Sequence, residues 1–378
     1  WITLYQQLRG PTPKRNAQRR VLQRLLECYY CLPCRETTGI VDYDRHPNRR
    51  VQSVTTNKPL GIGFFGAGDV SDLHAAGVDR CRDTSLVGLW NRTAAAGRTK
   101  AKSFGCRTYD TPEELLADPA IDAVSVLTNL ETHLEYVTMA LEAGKHVLIE
   151  KPVGVTIAEI EAMKVLAQRQ GLVCMPGHNF IHEEGIMRTK ELIDAGDLGK
   201  LVAVYVMYHI HHPEDVAARY PGVIRQILTH NSYMLLYLAG RPARVSAMKS
   251  RLHYEEIPQE DIATVNLTMQ NGALAHLCAS FAADDHSADP WTMMVKVIGT
   301  AGSARYSYRD WVEIKPAVVH SQTYTAYRGS IIHEIERFAQ VCRGHVEPLS
   351  NLDDAIDAQR IIEGIERSID EGITVDLS

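Results

Sequence analysis

The stretch Leu60-Gly-Ile-Gly-Phe-Phe-Gly-Ala-Gly-Asp-Val-Ser71 decides the fold of the first half of the chain. Its first six residues form a short apolar run, which predicts a buried β-strand, and a helix is expected from about Val70. Gly66, Gly68 and Ser71 form a G-x-G-x-x-S variant of the dinucleotide-binding fingerprint. The first glycine permits the tight turn, the second lets a pyrophosphate approach the backbone, and the helix N-terminus receives its negative charge. The stretch therefore predicts that Gly66, Gly68, Asp69 and Val70 bind a nucleotide.

Downstream of this turn, strand and helix patterns alternate. Thr111-Pro112 begins one helix, because threonine is a good N-cap and proline suits the first helical position. Further strands are predicted at 86–90, 123–127, 146–149 and 172–175, and helices at 93–104, 132–143 and 156–170. This alternation is typical of an α/β fold, a Rossmann domain with a doubly wound parallel sheet, which we assign to residues 58–176.

The rhythm changes after Pro176. A helix at 184–195 is followed by long strand-like runs, two of them joined by a predicted hairpin turn at Asn271-Gly272. These runs lie at 201–208, 243–251, 262–269, 273–281 and 293–298, and helices at 331–342 and 352–371 end the chain. We therefore expect residues 177–378 to form an α+β domain with an open, mostly antiparallel sheet, whose last helix packs back on the Rossmann domain.

Composition and charge exclude several classes of protein. The 378 residues are 45% hydrophobic and 23% charged, without an apolar run of 18 residues, so we expect no membrane span. Residues 1–58 carry 11 Lys/Arg against 4 Asp/Glu, or +7, which leaves −13 on the remainder. An acidic body argues against nucleic acid as the main partner. We interpret residues 1–57 as a basic, poorly ordered extension.

Three of the eight cysteines, Cys28, Cys31 and Cys34, have a spacing that can bind a metal or an iron–sulfur cluster. A fourth ligand at suitable spacing is missing, so an arm without metal is the favoured interpretation. The other five cysteines are scattered singly, as in a reduced cytoplasmic protein.

The end of the second strand bears on the choice of cofactor. An acidic residue there would bind the ribose hydroxyls of NAD, whereas this chain has Asn91-Arg92. An uncharged residue followed by arginine favours the 2′-phosphate of NADP. The alternative is that Arg92 stacks on the adenine and that NAD also binds.

A lysine follows the strand at 146–149, in Glu150-Lys151-Pro152. The carboxyl end of a strand in a nucleotide-binding sheet faces the ligand crevice, so Lys151 is a candidate for contact with the reacting group.

With this motif, residues 59–378 resemble the Gfo/Idh/MocA family, the glucose–fructose oxidoreductase and inositol dehydrogenase group. The shared segments are Ile121–Val124, Thr128…His133, Ala140–Val147, Glu150–Pro152, Gly196–Gly199 and Glu366–Gly372. The resemblance implies hydride exchange between NAD(P) and a hydroxyl-bearing carbon of a sugar or cyclitol. It implies that Thr128, Asn129, His133 and Glu150 belong to the cofactor site. It also implies a homo-oligomer, a dimer or tetramer, that assembles through the open sheet.

The resemblance assigns the chemistry to Lys151, which polarises the oxygen, and to His230, the matching histidine of the second domain. Gln226 and Tyr233 occupy positions where the family usually has aspartates. Glutamine can hydrogen-bond a sugar hydroxyl but accepts no proton, so His230 is expected to be the base. We therefore expect Gln226 and Tyr233 to bind the substrate.

Two histidine-containing segments remain open to more than one interpretation. His178 and Asn179 are a candidate acid/base and a hydroxyl-binding residue, or a loop pair bonded to local backbone. His209-Ile-His211-His212 permits a zinc site, but no carboxylate or thiol completes it, so we predict no metal and favour a role near the substrate pocket.

Three functions are consistent with these patterns. The favoured one is an NAD(P)-dependent dehydrogenase or reductase acting on CH–OH. The alternatives are a non-catalytic nucleotide-binding relative, suggested by Gln226, and a hydrolase or lyase that oxidises its substrate transiently with a retained cofactor. The substrate depends on the loops at 208–226 and 284–291.

Overall fold

The computed structural model describes residues 58–282, 291–307, 310–314, 317–321 and 323–378. The predictions for residues 1–57, including the Cys28–Cys34 cluster, and for most of the loop at 284–291 lie outside these ranges. Within the ranges, no helix is both long and apolar enough to cross a bilayer.

The first sheet is six-stranded and parallel, with strand order β3-β2-β1-β4-β5-β6. This is the Rossmann order. Successive strands are added on one side of β1 up to β3 and then on its other side from β4, and a crevice opens at the carboxyl ends of β1 and β4. Its strands are β1 (Leu60–Phe65), β2 (Thr84–Trp90), β3 (Arg107–Thr108), β4 (Ala123–Val126), β5 (His146–Ile149) and β6 (Cys174–Pro176). The predicted doubly wound parallel sheet is confirmed.

The helices of this half connect consecutive strands. They are α1 (Val70–Arg80), α2 (Ala94–Phe104), α3 (Pro112–Ala117), α4 (His133–Glu142) and α5 (Ile157–Gln170). The Thr111 side chain accepts a hydrogen bond from the Glu114 backbone N–H, and Pro112 is the first helical residue, as the sequence predicts. Gly105 and Gly171 end α2 and α5 in the left-handed conformation.

The second sheet has seven strands in the order β12-β11-β7-β10-β9-β8-β15. Among the described strands of this sheet, only β7 and β10 pair in parallel, so the predicted mostly antiparallel sheet is confirmed. Its strands are β7 (Leu201–Ile210), β8 (Pro242–Ser250), β9 (Ile262–Met269), β10 (Leu274–Ser280), β11 (Trp291–Gly299), β12 (Ser303–Ser307) and β15 (Val375–Asp376). A separate hairpin pairs β13 (Asp310–Ile314) with β14 (Ala317–Ser321). Asn271 and Gly272 lie in the turn between β9 and β10, where the φ of Gly272 is +85°.

One face of the second sheet is covered by helices, and the buried residues alternate along β7 and β9 accordingly. The helices of this half are α6 (Glu184–Asp194), α7 (Glu214–Ala217), α8 (Thr229–Ala239), α9 (Thr323–Cys342) and α10 (Leu352–Glu371). A π-helical turn at Ile224–Leu228 leads directly into α8.

The two C-terminal helices pack on the Rossmann sheet. Ile331, Ile335 and Phe338 of α9 share a buried cluster with Phe64 of β1. Leu352, Ala355 and Ile356 of α10 join the cluster on the other face of the sheet. Both helices therefore help to fix the orientation of the second sheet relative to the first.

Candidate active site

A cavity of about 720 Å³ lies between the carboxyl ends of β1, β4 and β5 and the second domain. The Rossmann half contributes the residues after each of these strands, and the second domain contributes the π-turn and α8. Among the lining residues are Asp69, Val70, Thr128, Asn129, His133, Glu150, Lys151, Tyr208, His212, Arg219, Tyr220, Gln226, His230 and Tyr327. The structure thus brings together Lys151, Gln226 and His230 from distant parts of the sequence.

A second cavity of about 320 Å³ adjoins the glycine-rich turn. It is lined by Gly66, Gly68, Asn91, Arg92 and Tyr136, and it shares Leu127, Thr128 and Asn129 with the larger cavity. The common wall makes the two spaces neighbours along the crevice, as the two halves of a dinucleotide require.

The two glycines of the turn have different roles. Gly66 has φ +103°, and a Cβ there would lie 2.6 Å from the Leu127 carbonyl oxygen, so only glycine fits the bend. A Cβ on Gly68 would meet no atom within 4 Å, because this position faces open space. Such an open backbone cradle at the start of α1 fits a pyrophosphate.

Asn91 braces this turn. Its Oδ1 accepts a hydrogen bond of 3.0 Å from the Ala67 backbone N–H, and its Nδ2 donates one of 2.9 Å to the Thr93 carbonyl. Arg92 is exposed at the rim of the smaller cavity. No carboxylate lines this cavity within the described part of the chain. Arg92 therefore provides the positive charge at the position that distinguishes the two nicotinamide cofactors.

His133 joins the loops that follow β4 and β5. Its Nε2 lies 3.1 Å from the Thr128 carbonyl oxygen and its Nδ1 3.3 Å from that of Val153. The ring is buried, and this burial lowers its pKa despite the two carbonyls. His133 consequently holds Thr128 and Asn129 at the cavity in addition to lining it.

The Lys151 ammonium is turned inward, toward the π-turn. Its Nζ donates a hydrogen bond of 3.1 Å to the Gln226 backbone carbonyl, which leaves further N–H donors for a ligand. Burial lowers the pKa of Lys151 to about 8, although the Glu150 carboxylate acts in the opposite direction. The amine thus lies near its titration point at neutral to mildly alkaline pH.

Glu150 is held by a histidine that the sequence analysis did not identify. His74 Nε2 lies 2.8 Å from Glu150 Oε1, and the Lys151 backbone N–H donates to Oε2 at 3.0 Å. Burial alone would raise the pKa of Glu150, but His74 and Lys151 outweigh it and hold the pKa below its ordinary value. The only sequence signal for His74 is its place in the first turns of the helix after the glycine-rich motif.

His230 is buried at the back of the cavity. Its Nδ1 lies 2.6 Å from the Tyr233 hydroxyl, and its ring meets Phe180 and Tyr208 edge-on, with centroids 4.9 and 5.5 Å away. Burial first, and then the charges of Lys151 and His178, lower the pKa of His230 well below its ordinary value. The imidazole is therefore neutral near pH 7 and available to accept a proton.

Three predicted substrate-binding residues, His178, Asn179 and Tyr233, do not line the described cavity. His178 stacks on Tyr233 with centroids 4.2 Å apart, and its Nδ1 lies 2.7 Å from Ser350 Oγ. Asn179 bonds Ser330 and Tyr233. The cause is the short 3₁₀ turn at Asn179–His182, which is buried beneath α8 and α9. These residues form a layer behind His230.

The histidine-rich segment at the end of β7 divides between two environments. His212 lines the cavity, whereas His209 Nε2 lies 3.3 Å from Cys278 Sγ. Among the described residues, no group of three or more His, Cys, Asp or Glu is arranged to hold a metal ion. Tyr208, Tyr220 and Tyr327 line the cavity and were missed because isolated tyrosines carry no spacing signal.

Comparison with known proteins agrees with this architecture. Residues 60–178 match the oxidoreductase family model described as an NAD-binding Rossmann fold, and residues 186–305 match the GFO/IDH/MocA C-terminal domain. The chain belongs to the Gfo/Idh/MocA oxidoreductase family.

Individual members of the family resemble the chain over most of its length. Inositol 2-dehydrogenase of Rhizobium meliloti is 26% identical over 327 residues, which are 82% of this chain and 97% of that protein. The structure of a putative myo-inositol dehydrogenase from Sinorhizobium meliloti superposes with a TM-score of 0.77 at 23% identity, covering 84% of this chain and all of the other. GenD2 from gentamicin A biosynthesis, solved in complex with NAD, gives a TM-score of 0.77 at 22% identity over 85% and 97% of the two chains.

Proposed function

We propose that the protein is a dehydrogenase or reductase that transfers hydride between NADP(H) and a hydroxyl-bearing carbon of a sugar or cyclitol. One observation carries the proposal: Lys151, His230 and Gln226 together line a cavity that shares a wall with the cavity beside the glycine-rich turn. Oxidation of an alcohol requires groups that orient the oxygen and accept its proton beside a hydride acceptor. Similarity to inositol 2-dehydrogenase and to D-apiose dehydrogenase favours polyhydroxylated substrates.

The cofactor, when bound, supplies the hydride acceptor or donor. Gly66 and Gly68 would hold its pyrophosphate, and Thr128 and Asn129 would line its path into the larger cavity. We favour NADP over NAD because Arg92 is exposed at the rim and Asn91, engaged with the turn, carries no charge that would repel a 2′-phosphate. Titration of protein fluorescence with NADPH and with NADH tests this preference.

Lys151 and His230 divide the work at the reacting oxygen. The Lys151 amine donates a hydrogen bond that positions and polarises the substrate oxygen, and the neutral His230 ring accepts the hydroxyl proton during oxidation. Gln226, one helical turn before His230, hydrogen-bonds a neighbouring hydroxyl. In the direction of reduction, the proton returns from His230 to the alkoxide oxygen.

Replacing Lys151 by methionine is the direct test of this function. Lys151→Met keeps a similar volume but removes the amine, so turnover on a panel of sugars and cyclitols should fall by about 100-fold or more. NADPH binding should persist, because the glycine-rich turn is unchanged. Lys164→Met makes the same chemical change on a partly exposed lysine paired with Asp353, outside the cavity, and should retain turnover.

Gln226 gives a specific reason to consider a second function, a nucleotide-binding subunit without hydride transfer. Such a protein would bind NADPH but transfer no hydride to any member of the panel. Product release without net change of cofactor would indicate transient oxidation with retained cofactor. Undiminished turnover by Lys151→Met would reject the proposed chemistry altogether.

A further inference from the structure

A chain of hydrogen bonds extends from His230 into the protein interior. His230 Nδ1 lies 2.6 Å from the Tyr233 hydroxyl, which lies 3.2 Å from Asn179 Oδ1. Asn179 Nδ2 donates to Ser330 Oγ at 2.8 Å, and Ser330 Oγ donates to the Tyr327 carbonyl at 2.7 Å. The four side chains from His230 to Ser330 are each at most 4% exposed, so water does not compete for these bonds.

The proton positions in this chain can be deduced from its inner end. A serine hydroxyl has one proton, and Ser330 gives it to the Tyr327 carbonyl, so Ser330 accepts from Asn179 Nδ2. The amide oxygen of Asn179 then faces Tyr233 and can only accept. Tyr233 therefore donates its single proton to Asn179.

The Tyr233 hydroxyl, having given its proton to Asn179, acts as an acceptor toward its other neighbours. The Phe180 backbone N–H donates to it at 3.2 Å, and the remaining lone pair faces His230 Nδ1. His230 consequently carries its proton on Nδ1. Since the ring lines the cavity and Nδ1 faces Tyr233, the unprotonated Nε2 is the nitrogen left for a ligand.

We propose that Tyr233, Asn179 and Ser330 are positioning residues that fix His230 as the Nδ1–H tautomer, with the Nε2 lone pair directed at the substrate hydroxyl. The proposal rests on the function proposed above, in which His230 is the base. The opposite tautomer would present an N–H to an alcohol that must lose a proton.

The tautomer is measurable without turnover. In protein labelled with ¹⁵N-histidine, the two ring nitrogens of His230 should show the shifts of a protonated Nδ1 and an unprotonated Nε2 at pH 7. The His230→Gln spectrum assigns the signals. Tyr233→Phe should abolish this preference, because the acceptor for Nδ1–H is removed. Tyr109→Phe, which removes a hydroxyl bonded to Asp118 far from the cavity, should leave the spectrum unchanged.

Kinetics provide the second readout. Tyr233→Phe should lower kcat about tenfold to 100-fold with little change in the KM for NADPH, and Asn179→Leu should have a similar effect. Ser330→Thr keeps a hydroxyl and should retain most activity, whereas Ser330→Ala should not. The pH dependence of kcat must be compared across the variants, since Lys151, His178, Tyr208 and Tyr233 face the ring and Glu150 and Glu334 act on Tyr233.

The outcomes separate the two proposals. Turnover in the wild type together with a protonated Nε2 would overturn the positioning role of Tyr233, Asn179 and Ser330 and leave the proposed function intact. A protonated Nδ1 without turnover on any substrate would support the positioning role and reject the proposed function. If Tyr233→Phe fails to fold, the wild-type spectrum and the Ser330 pair still decide the question.

Discussion

The Lys151 side chain, which we propose to serve the reaction, is expected to lower the stability of the folded protein. An ammonium group loses hydration when it is buried, and here one carbonyl oxygen and the neighbouring Glu150 compensate for only part of that loss. A group that serves a reaction in this way is expected to weaken the folded state.

Replacing Lys151 should therefore stabilise the protein. Its pKa is about 8 in the folded state against an ordinary value of 10.5, so the unfolded chain binds the proton more tightly. The resulting cost to the fold is fully present below pH 8 and disappears as the pH rises past 10.5. Lys151→Met should raise the free energy of unfolding at pH 7 by roughly 1–3 kcal/mol, and urea titrations at pH 7 and 10 should show the gain shrinking. A gain that is equal at both pH values would contradict this account.

Glu334 is a second buried titratable group, and its pKa is raised where that of Lys151 is lowered. It is 0% exposed, and neither carboxyl oxygen has a hydrogen-bond partner among the described residues. Burial, and then the Glu150 charge, raise its pKa well above 4.5. The folded protein thus holds a proton that the unfolded chain releases, and stability falls as the pH rises from about 4.5 toward the folded-state pKa.

Glu334→Gln removes this titration. Its melting temperature relative to the wild type should rise with pH from about pH 5 until the pH passes the folded-state pKa of Glu334, by the equivalent of roughly 1 kcal/mol per pH unit. Glu336→Gln, a partly exposed position on the same helix, controls for loss of a carboxylate. A difference between Glu334→Gln and wild type that does not change with pH would show that Glu334 is ionised in the fold.

The sequence predicted the residues that line the cavity better than those behind it. Lys151 was predicted from its place after a strand and His230 from the family resemblance, and both line the cavity. His178, Asn179 and Tyr233 were predicted to bind substrate, yet they bond one another and the C-terminal helices. These contacts join residues that lie 54 to 151 positions apart in the sequence, and no local pattern encodes them.

At the scale of the element, the glycine-rich turn yields a test based on two glycines two positions apart. Gly68→Ala adds a methyl group to open space at an ordinary φ, so the fold should be unaffected while the pyrophosphate loses its approach. Gly66→Ala forces φ +103° on an alanine whose Cβ would lie 2.6 Å from a carbonyl oxygen, and should cost roughly 2–4 kcal/mol.

Thermal unfolding combined with NADPH titration distinguishes these two effects. Gly68→Ala should melt with the wild type but bind NADPH about tenfold or more weakly. Gly66→Ala should melt earlier. Wild-type affinity in Gly68→Ala would mean that the cofactor phosphates lie elsewhere.

Most elements with strong periodicity were predicted to within a few residues, although α9 begins at Thr323, eight residues before the predicted start at 331. Short elements and those that depend on tertiary contacts were missed. The helix at 352–371 was predicted with its observed bounds, because its buried positions recur at helical spacing and Gly372 ends it. The two-residue strands β3 and β15 and the π-turn at Ile224–Leu228 have no such signal. The π-turn matters most, since it presents the Gln226 carbonyl to Lys151 and places Gln226 in the lining of the cavity.

For the whole molecule, the C-terminal helices determine the geometry of the cavity. Helix α9 packs on α1 and the 3₁₀ turn, and it contributes Ser330 to the layer behind His230. Helix α10 packs on α5 and α8, and Arg225 of the π-turn forms a bidentate pair with its Glu366. The last 50 residues therefore connect the cofactor side of the crevice to the substrate side.

The open face of the seven-stranded sheet is the surface on which we expect a second copy of the chain. Tyr205, Met248 and Leu274 point away from the helices and are 39%, 68% and 60% exposed, an unusual apolar content for a sheet face in water. Tyr205→Glu places a charge at its centre, so light scattering after gel filtration should show a dimer or tetramer for the wild type and a monomer for the variant. Val165→Glu makes an equivalent change at a 63% exposed position on α5 and should leave the oligomer intact. A monomeric wild type, or an unchanged mass for Tyr205→Glu, would assign this face to another use.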